Sequence, residues 1–160
     1  TTLDPDNLNS EDPYCWKVYV DWDASGYRLP TETEWEFAAR GGNLSRDYLY
    51  SGSDLLDDVG WYGVNSSKTR SVGGKSGNEL GIYDMTGNVW EWCWDWHQRN
   101  GYSYLKGFDP RGPGRGSQRV MRGGSTINED PSYCTVFKRN ATSPHASYKY
   151  LGFRVVKGWD

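Results

Sequence analysis

A chain of 160 residues has the size of one domain and can bury a core without disulfide staples. Its net charge of −3, with both signs mixed along the chain, argues against a nucleic-acid partner, and no apolar run approaches the length of a membrane span. Aromatic residues at 16% and 20 glycines, against 36% hydrophobic residues overall, predict a core built from rings in a loop-rich α+β domain occupying residues 1–160.

Ser10, followed by Glu11, Asp12 and Pro13, has the chemistry of a helix start, and Cys15, Val18, Tyr19 and Trp22 follow at helical spacing. Gly26 ends that segment. A second helix is predicted from Thr31, which with Glu34 has capping-box spacing. Trp35, Ala38 and Ala39 form its buried side, and Gly41 suits its C-terminal cap. From Gly41 to Gly81 no period is sustained, and loops with short strands are expected.

Residues 88–96 alternate. A strand here sends Trp90, Trp92, Trp94 and Trp96 to one side and Val89, Glu91, Cys93 and Asp95 to the other. The indoles read as packing, since alternating aromatics stabilise a sheet through cross-strand pairs. Nothing in their spacing selects a stacking platform. Residues 99–118 form loops with turn signals at Asp109-Pro110 and Gly112-Pro113-Gly114. Short strands are expected at Arg119–Arg122 and Phe153–Val156. The segment between them has no period.

Cys15, Cys93 and Cys134 are far apart and lack CxxC spacing, which excludes zinc and thioredoxin-type chemistry. One disulfide with a free thiol and three buried thiols both stay open. His97 and His145 read as strand-end and loop residues. Asp84 and Glu91 flank a glycine turn, where two carboxylates and main-chain carbonyls suit a hard cation that takes six to eight oxygens at about 2.3–2.6 Å. The competing reading is a turn cap at Asp84 and a salt bridge at Glu91.

Four stretches belong together: Arg28-Leu29-Pro30-Thr31-Glu32-Thr33-Glu34-Trp35-Glu36, Gly87-Asn88-Val89-Trp90-Glu91-Trp92, Arg122-Gly123-Gly124-Ser125 and Gly152-Phe153-Arg154. In this order they resemble the formylglycine-generating-enzyme, or sulfatase-modifying-factor, family over about residues 12–157. The resemblance implies a variant of the C-type lectin fold with two helices and short antiparallel strands. The family's N-terminal strands have no counterpart before Cys15. A structural calcium ion is implied at Asp84, Gly87, Val89 and Glu91, through the two carboxylates and the Gly87 and Val89 carbonyls. A second family calcium site has no match between Asp58 and Ser71.

Enzymes of the family use two cysteines five positions apart, before a proline that corresponds to Pro144. Counting back places them at Pro131 and Val136, and aligning Cys134 with the first places the second on Arg139. Neither alignment restores a pair, so no oxidase activity is expected, and Cys134 reads as a packing residue. An oxidase with an altered active site is the alternative.

The chain is also similar to the variable proteins of diversity-generating retroelements, a treponemal variable lipoprotein among them. That similarity implies a non-catalytic protein at the cell surface or outside the cell, whose residues 125–151 display a diversified face to a protein or glycan ligand. Tyr, Ser, Asn and Thr there are paratope chemistry. The contact residues expected are Thr126, Ile127, Asn128, Asp130, Ser132, Tyr133, Phe137, Asn140, Thr142, Ser143, His145, Ala146, Tyr148 and Tyr150. Cys134 and Val136 should be buried, and Arg139 should pair with a carboxylate or carbonyls.

Overall fold

The computed structural model describes residues 20–99 and 109–158. The helix predicted from Ser10 and ending at Gly26 lies outside them up to residue 19, and its described part, 20–25, is not helical, with Trp22 in a turn. Cys15 also lies outside. Helix α1 spans Glu32–Ala39 and starts as its sequence dictates: Thr31 accepts from the Glu34 N–H, and the Glu34 carboxylate accepts from the Thr31 N–H. Arg28 holds Glu34 in a fork, at 2.7 and 2.6 Å. Gly41 follows at φ +88°, a left-handed conformation that glycine adopts at little cost.

A short helix α2, Leu56–Val59, falls where only loops and strands were expected. Four residues are too few to show a helical period. Leu56 and Val59 nevertheless point into a buried cluster with Tyr50, Tyr62 and Cys134.

Strand β1 is Tyr27–Arg28, and β2 is Trp90–Trp96. Then come β3 (Arg119–Arg122), β4 (Arg139–Thr142), β5 (Leu151–Gly152) and β6 (Val156–Lys157). Two sheets result: β1 pairs with β6, and the larger sheet runs β4-β3-β2-β5. The β1–β6, β2–β3 and β3–β4 pairs are antiparallel, as expected, and the β2–β5 pair is parallel. Phe153 to Val155, predicted as strand, lies between β5 and β6. There the main chain turns Arg154 inward and leaves Phe153 and Val155 exposed.

β2 is central and buried on both faces. Glu91, Cys93 and Asp95 are as inaccessible as Trp90, Trp94 and Trp96; only Trp92 is partly exposed. The ladder to β3 shifts register between Trp92 and Trp96, a bulge that interrupts the simple alternation. Helix α1 covers one face through Trp35 and Ala39, which pack with Met85, Cys93, Val120 and Val136. Arg119 lies over the rings of Trp94 and Trp96 at 4.6 and 3.8 Å, and Trp22 meets Trp94 edge-on at 5.8 Å. The tryptophan row is therefore mostly a packing device.

Candidate functional site

Residues directly opposite in a ladder share a face. Pairing across the larger sheet puts Trp92, Met121 and Asn140 in one row, and Trp96, Arg119 and Thr142 in the next. These rows lie on the face away from α1. Trp90 pairs with Leu151 on the same face, and its main-chain N–H donates to the Tyr150 carbonyl at 2.8 Å. Tyr133 meets Trp90 edge-on at 6.4 Å, and the Lys138 ammonium lies 4.6 Å over the Tyr133 ring. Beyond Tyr150, Tyr148 stacks on it at 5.1 Å with an interplanar angle of 8°.

Three expected contact residues thus share this face, Tyr133, Asn140 and Thr142, while Tyr148 and Tyr150 form a stacked pair beside β5, at the other edge of the sheet. Ser143 and Ala146 are half-buried in the following turn, while Ile127, Asp130, Ser132, Phe137 and His145 are exposed at other points of the segment. Asp130 also caps the short 3-10 turn Pro131–Cys134 by accepting from the Ser132 N–H at 2.9 Å.

Thr126 departs from the exposure expected of it, and Asn128, half-buried, also has a backbone role. Thr126 is buried and its N–H donates to the Asn88 carbonyl. Asn128 holds a turn: its side-chain oxygen accepts from the N–H and hydroxyl of Ser125, and its carbonyl accepts from Gly63 N–H. Both residues serve the backbone, tying the turn at 125–128 to the Asn88 carbonyl and to Gly63. Trp92 and Lys138 were missed. A strand of identical rings gives no signal as to which one the bulge leaves accessible.

The segment is pinned from below. Cys134 and Val136 are buried, as expected. The Arg139 guanidinium grips Glu32 through Nε to Oε1 at 2.6 Å and Nη2 to Oε2 at 2.7 Å. Arg122, fully buried, lies 3.4 Å from Glu32 and donates to the Val136 and Lys138 carbonyls and to Glu36. Its guanidinium also stacks over Trp35.

Neither described cysteine is bridged. Burial pushes the Cys134 thiol up to about 12 and raises Cys93 as well. Both are protonated at neutral pH, whereas thiol redox and metal chemistry use the thiolate. Val136 is in the core and Pro131 opens the 3-10 turn. Burial, and then the charge of Arg139, lower the basicity of His97.

The acidic turn is rigid. Gly87 has φ +75°, and a Cβ there would meet the Trp61 carbonyl oxygen at 2.2 Å. Asn88, also left-handed, exchanges hydrogen bonds with the main chain of Arg70 at 2.9 and 3.1 Å. Asp84 accepts from the Gly73 N–H at 2.7 Å. Both Glu91 oxygens accept from Arg154, at 2.6 and 2.8 Å, and the Trp35 indole N–H donates to Oε2 at 2.7 Å. Arg154 further reaches the Tyr83 and Asp84 carbonyls.

A carboxylate has about four lone-pair sites. Glu91 therefore keeps one, on Oε1, and an oxygen-seeking cation fits here only through that atom, together with Asp84 and the turn carbonyls. Arg154 was quoted as part of a motif but given no role. Its signal was the inverted pattern of an arginine between two apolar residues that face out.

The sulfatase-modifying factor enzyme 1-like domain matches residues 12–159. The chaperone protein LppX of Paenibacillus barcinonensis is 39% identical over 98% of this chain and 58% of its own length. The formylglycine-generating enzyme of Streptomyces coelicolor is 39% identical over 89% of this chain and 52% of its own. Among solved structures, Treponema denticola variable protein 1 superimposes with a TM-score of 0.75 and 44% identity, over 85% of this chain and 49% of that one. The chain thus spans about half the length of these relatives. The superposition places the loop-rich α+β architecture in the C-type lectin variant shared by these proteins.

Proposed function

The chain belongs to the sulfatase-modifying factor enzyme 1-like domain family, and from that premise we propose that it is a non-catalytic binding protein that presents Ile127 to Tyr150 to a protein or glycan. The observation that carries this reading is that Tyr133, Asn140 and Thr142 share one sheet face with the partly exposed Trp92, over a backbone pinned by Cys134, Val136 and Arg139. Rigid aromatic anchors beside small polar groups suit recognition at low entropic cost. The similarity to a variable protein supports it. Display at the cell surface is part of the proposal, and protease shaving of intact cells tests it.

Replacing Tyr148, Tyr150 and His145 together by alanine tests the face. Exposed substitutions usually stay within about ±0.5 kcal/mol. The melting temperature should hold while binding to a displayed peptide library or a glycan array is lost. Unfolding would make the segment core and end this reading.

The identity to a formylglycine-generating enzyme favours a second reading, an oxidase with an altered site. A cysteine-containing sulfatase peptide incubated with copper decides between them: turnover would establish the enzyme.

A calcium ion at Asp84, Gly87, Val89 and Oε1 of Glu91 belongs to the proposal as a structural ligand. Bound there, it supplies charge to hold the turn. Arg154 supplies part of that charge already.

A further inference from the structure

The geometry points to the outer edge of β4 as a docking edge for an extended polypeptide segment of a partner protein, added as a further strand beside Asn140 and Ala141. The inference rests on the binding-face reading and names the kind of ligand the face takes.

Among the described residues, β4 is the outermost strand of its sheet. Which of its main-chain groups turn outward follows from the ladder. The His97 N–H donates to the Gln118 carbonyl at 2.7 Å, one step beyond the Trp96–Arg119 pair. Arg119 therefore sits at a non-hydrogen-bonded position toward β2, and its own N–H and C=O turn toward β4. In an antiparallel ladder such positions alternate. Asn140 and Thr142 accordingly bond to β3, and Ala141 turns its N–H and C=O away from the sheet.

The bond at Ala141 agrees. Its N–H donates to Oδ1 of Asn140, the preceding residue, at 2.8 Å. A side-chain amide oxygen thus occupies the place that the carbonyl of an added strand would take. The two acceptors are chemically alike, so exchanging one for the other costs little net hydrogen-bond energy. All four residues of β4 are partly exposed.

Edge strands are usually blunted against indiscriminate pairing, and the four-residue length and the Asn140 cap do so here. The edge borders the face carrying Trp92, Asn140 and Thr142. A strand laid on it would gain affinity from main-chain bonds and specificity from every second side chain, which would point onto that face. The outward N–H and C=O of Ala141 are a donor and an acceptor at the spacing of a strand residue, which fits a peptide backbone.

Short random peptides, displayed and selected on the wild-type protein, are the probe. Ala141→Pro removes the outward N–H and leaves the bonds of Asn140 and Thr142 to β3, as proline on an edge permits. The selected peptides should bind Ala141→Pro roughly tenfold more weakly or worse, and should slow amide exchange at Ala141 in the wild type. Exchange at Ala141 is the deciding measurement if the proline variant melts early: no slowing on peptide addition overturns the proposal. Full binding by Ala141→Pro, with loss in the Tyr148, Tyr150 and His145 triple variant, overturns the edge and leaves the face standing. Equal binding by all three proteins, or no enriched peptide, also overturns it. Self-association that protects Ala141 without peptide would make a second copy the occupant and the proposal wrong.

Discussion

Arg139 and Glu32, 107 positions apart in the chain, are joined by two parallel hydrogen bonds of 2.6 and 2.7 Å. One lies on the strand that carries the candidate face, the other in the first turn of α1. Glu32 is almost inaccessible to solvent. The pair fastens the binding segment to the motif-bearing helix.

Breaking a buried pair leaves a charge without a partner, which typically costs about 3–5 kcal/mol. Arg139→Ala should lose stability in a denaturant titration, but less than that, because Arg122 at 3.4 Å still faces Glu32. Arg139→Met combined with Glu32→Gln should recover part of it, since Arg122 keeps Glu36 as a carboxylate partner when Glu32 is neutral. Equal destabilisation of the single and double variants would show that shape, and not charge, holds the junction.

Trp90 is buried between Tyr133 and the β5 strand. Trp90→Ala should cost about 3–5 kcal/mol, through lost transfer energy and the cavity left behind. Trp92→Ala should cost less, because Trp92 is partly exposed, and should impair ligand capture. Comparable melting of the two variants would contradict this division of labour.

Calcium bound only by the native state adds stability that grows with its excess, about 2.7 kcal/mol at a hundredfold over Kd. Chelator should lower the melting temperature of the wild type and do little to Asp84→Asn combined with Glu91→Gln. Identical wild-type melting with and without chelator would leave Arg154 as the only counter-charge to Glu91.

Burial pushes Asp95 up to about 6, against the N–H of Glu32 and the charge of Arg119, which favour the carboxylate. Oδ1 has no hydrogen-bond partner among the described residues, and Gly112 packs against it. Above about pH 4 the unfolded chain has released this proton while the folded one retains it. Stability is therefore lost as pH rises from about 4 to 6, by on the order of 3 kcal/mol, and the loss is complete above that range. Asp95→Asn should lack this component. Melting curves of the two proteins that stay parallel across the window would exclude Asp95 as the cause.

The helix at Thr31 was legible because its signals are local: a cap, its reciprocal partner and a glycine at the end. β3 was legible as a short apolar run between turns. β4 was not, since Arg139-Asn140-Ala141-Thr142 has no apolar alternation and is a strand only because β3 offers it a ladder. The same limit applies at the site. Cys134, Val136 and Arg139 could be foreseen as anchors from their place in the family pattern, and Tyr133 from its chemistry. That Thr126 and Asn128 are spent on the backbone depends on Ser125, Asn88 and Gly63, which lie close only in three dimensions.

β4 and β5 stand at opposite edges of the larger sheet, so the chain from Thr142 to Leu151 must cross its full width. Three strand spacings amount to about 14 Å. Nine residue steps reach roughly 31 Å at full extension. The difference is taken up by descent along the strands and by two turns, closed by Ala146 N–H to the Ser143 carbonyl and by Leu151 N–H to that of Tyr148. Deletions would consume the turns and then pull a strand from its place. Insertions would only enlarge a loop, at about 0.6 kcal/mol per doubling of its length. Variation in this stretch is bounded on the short side and open on the long one.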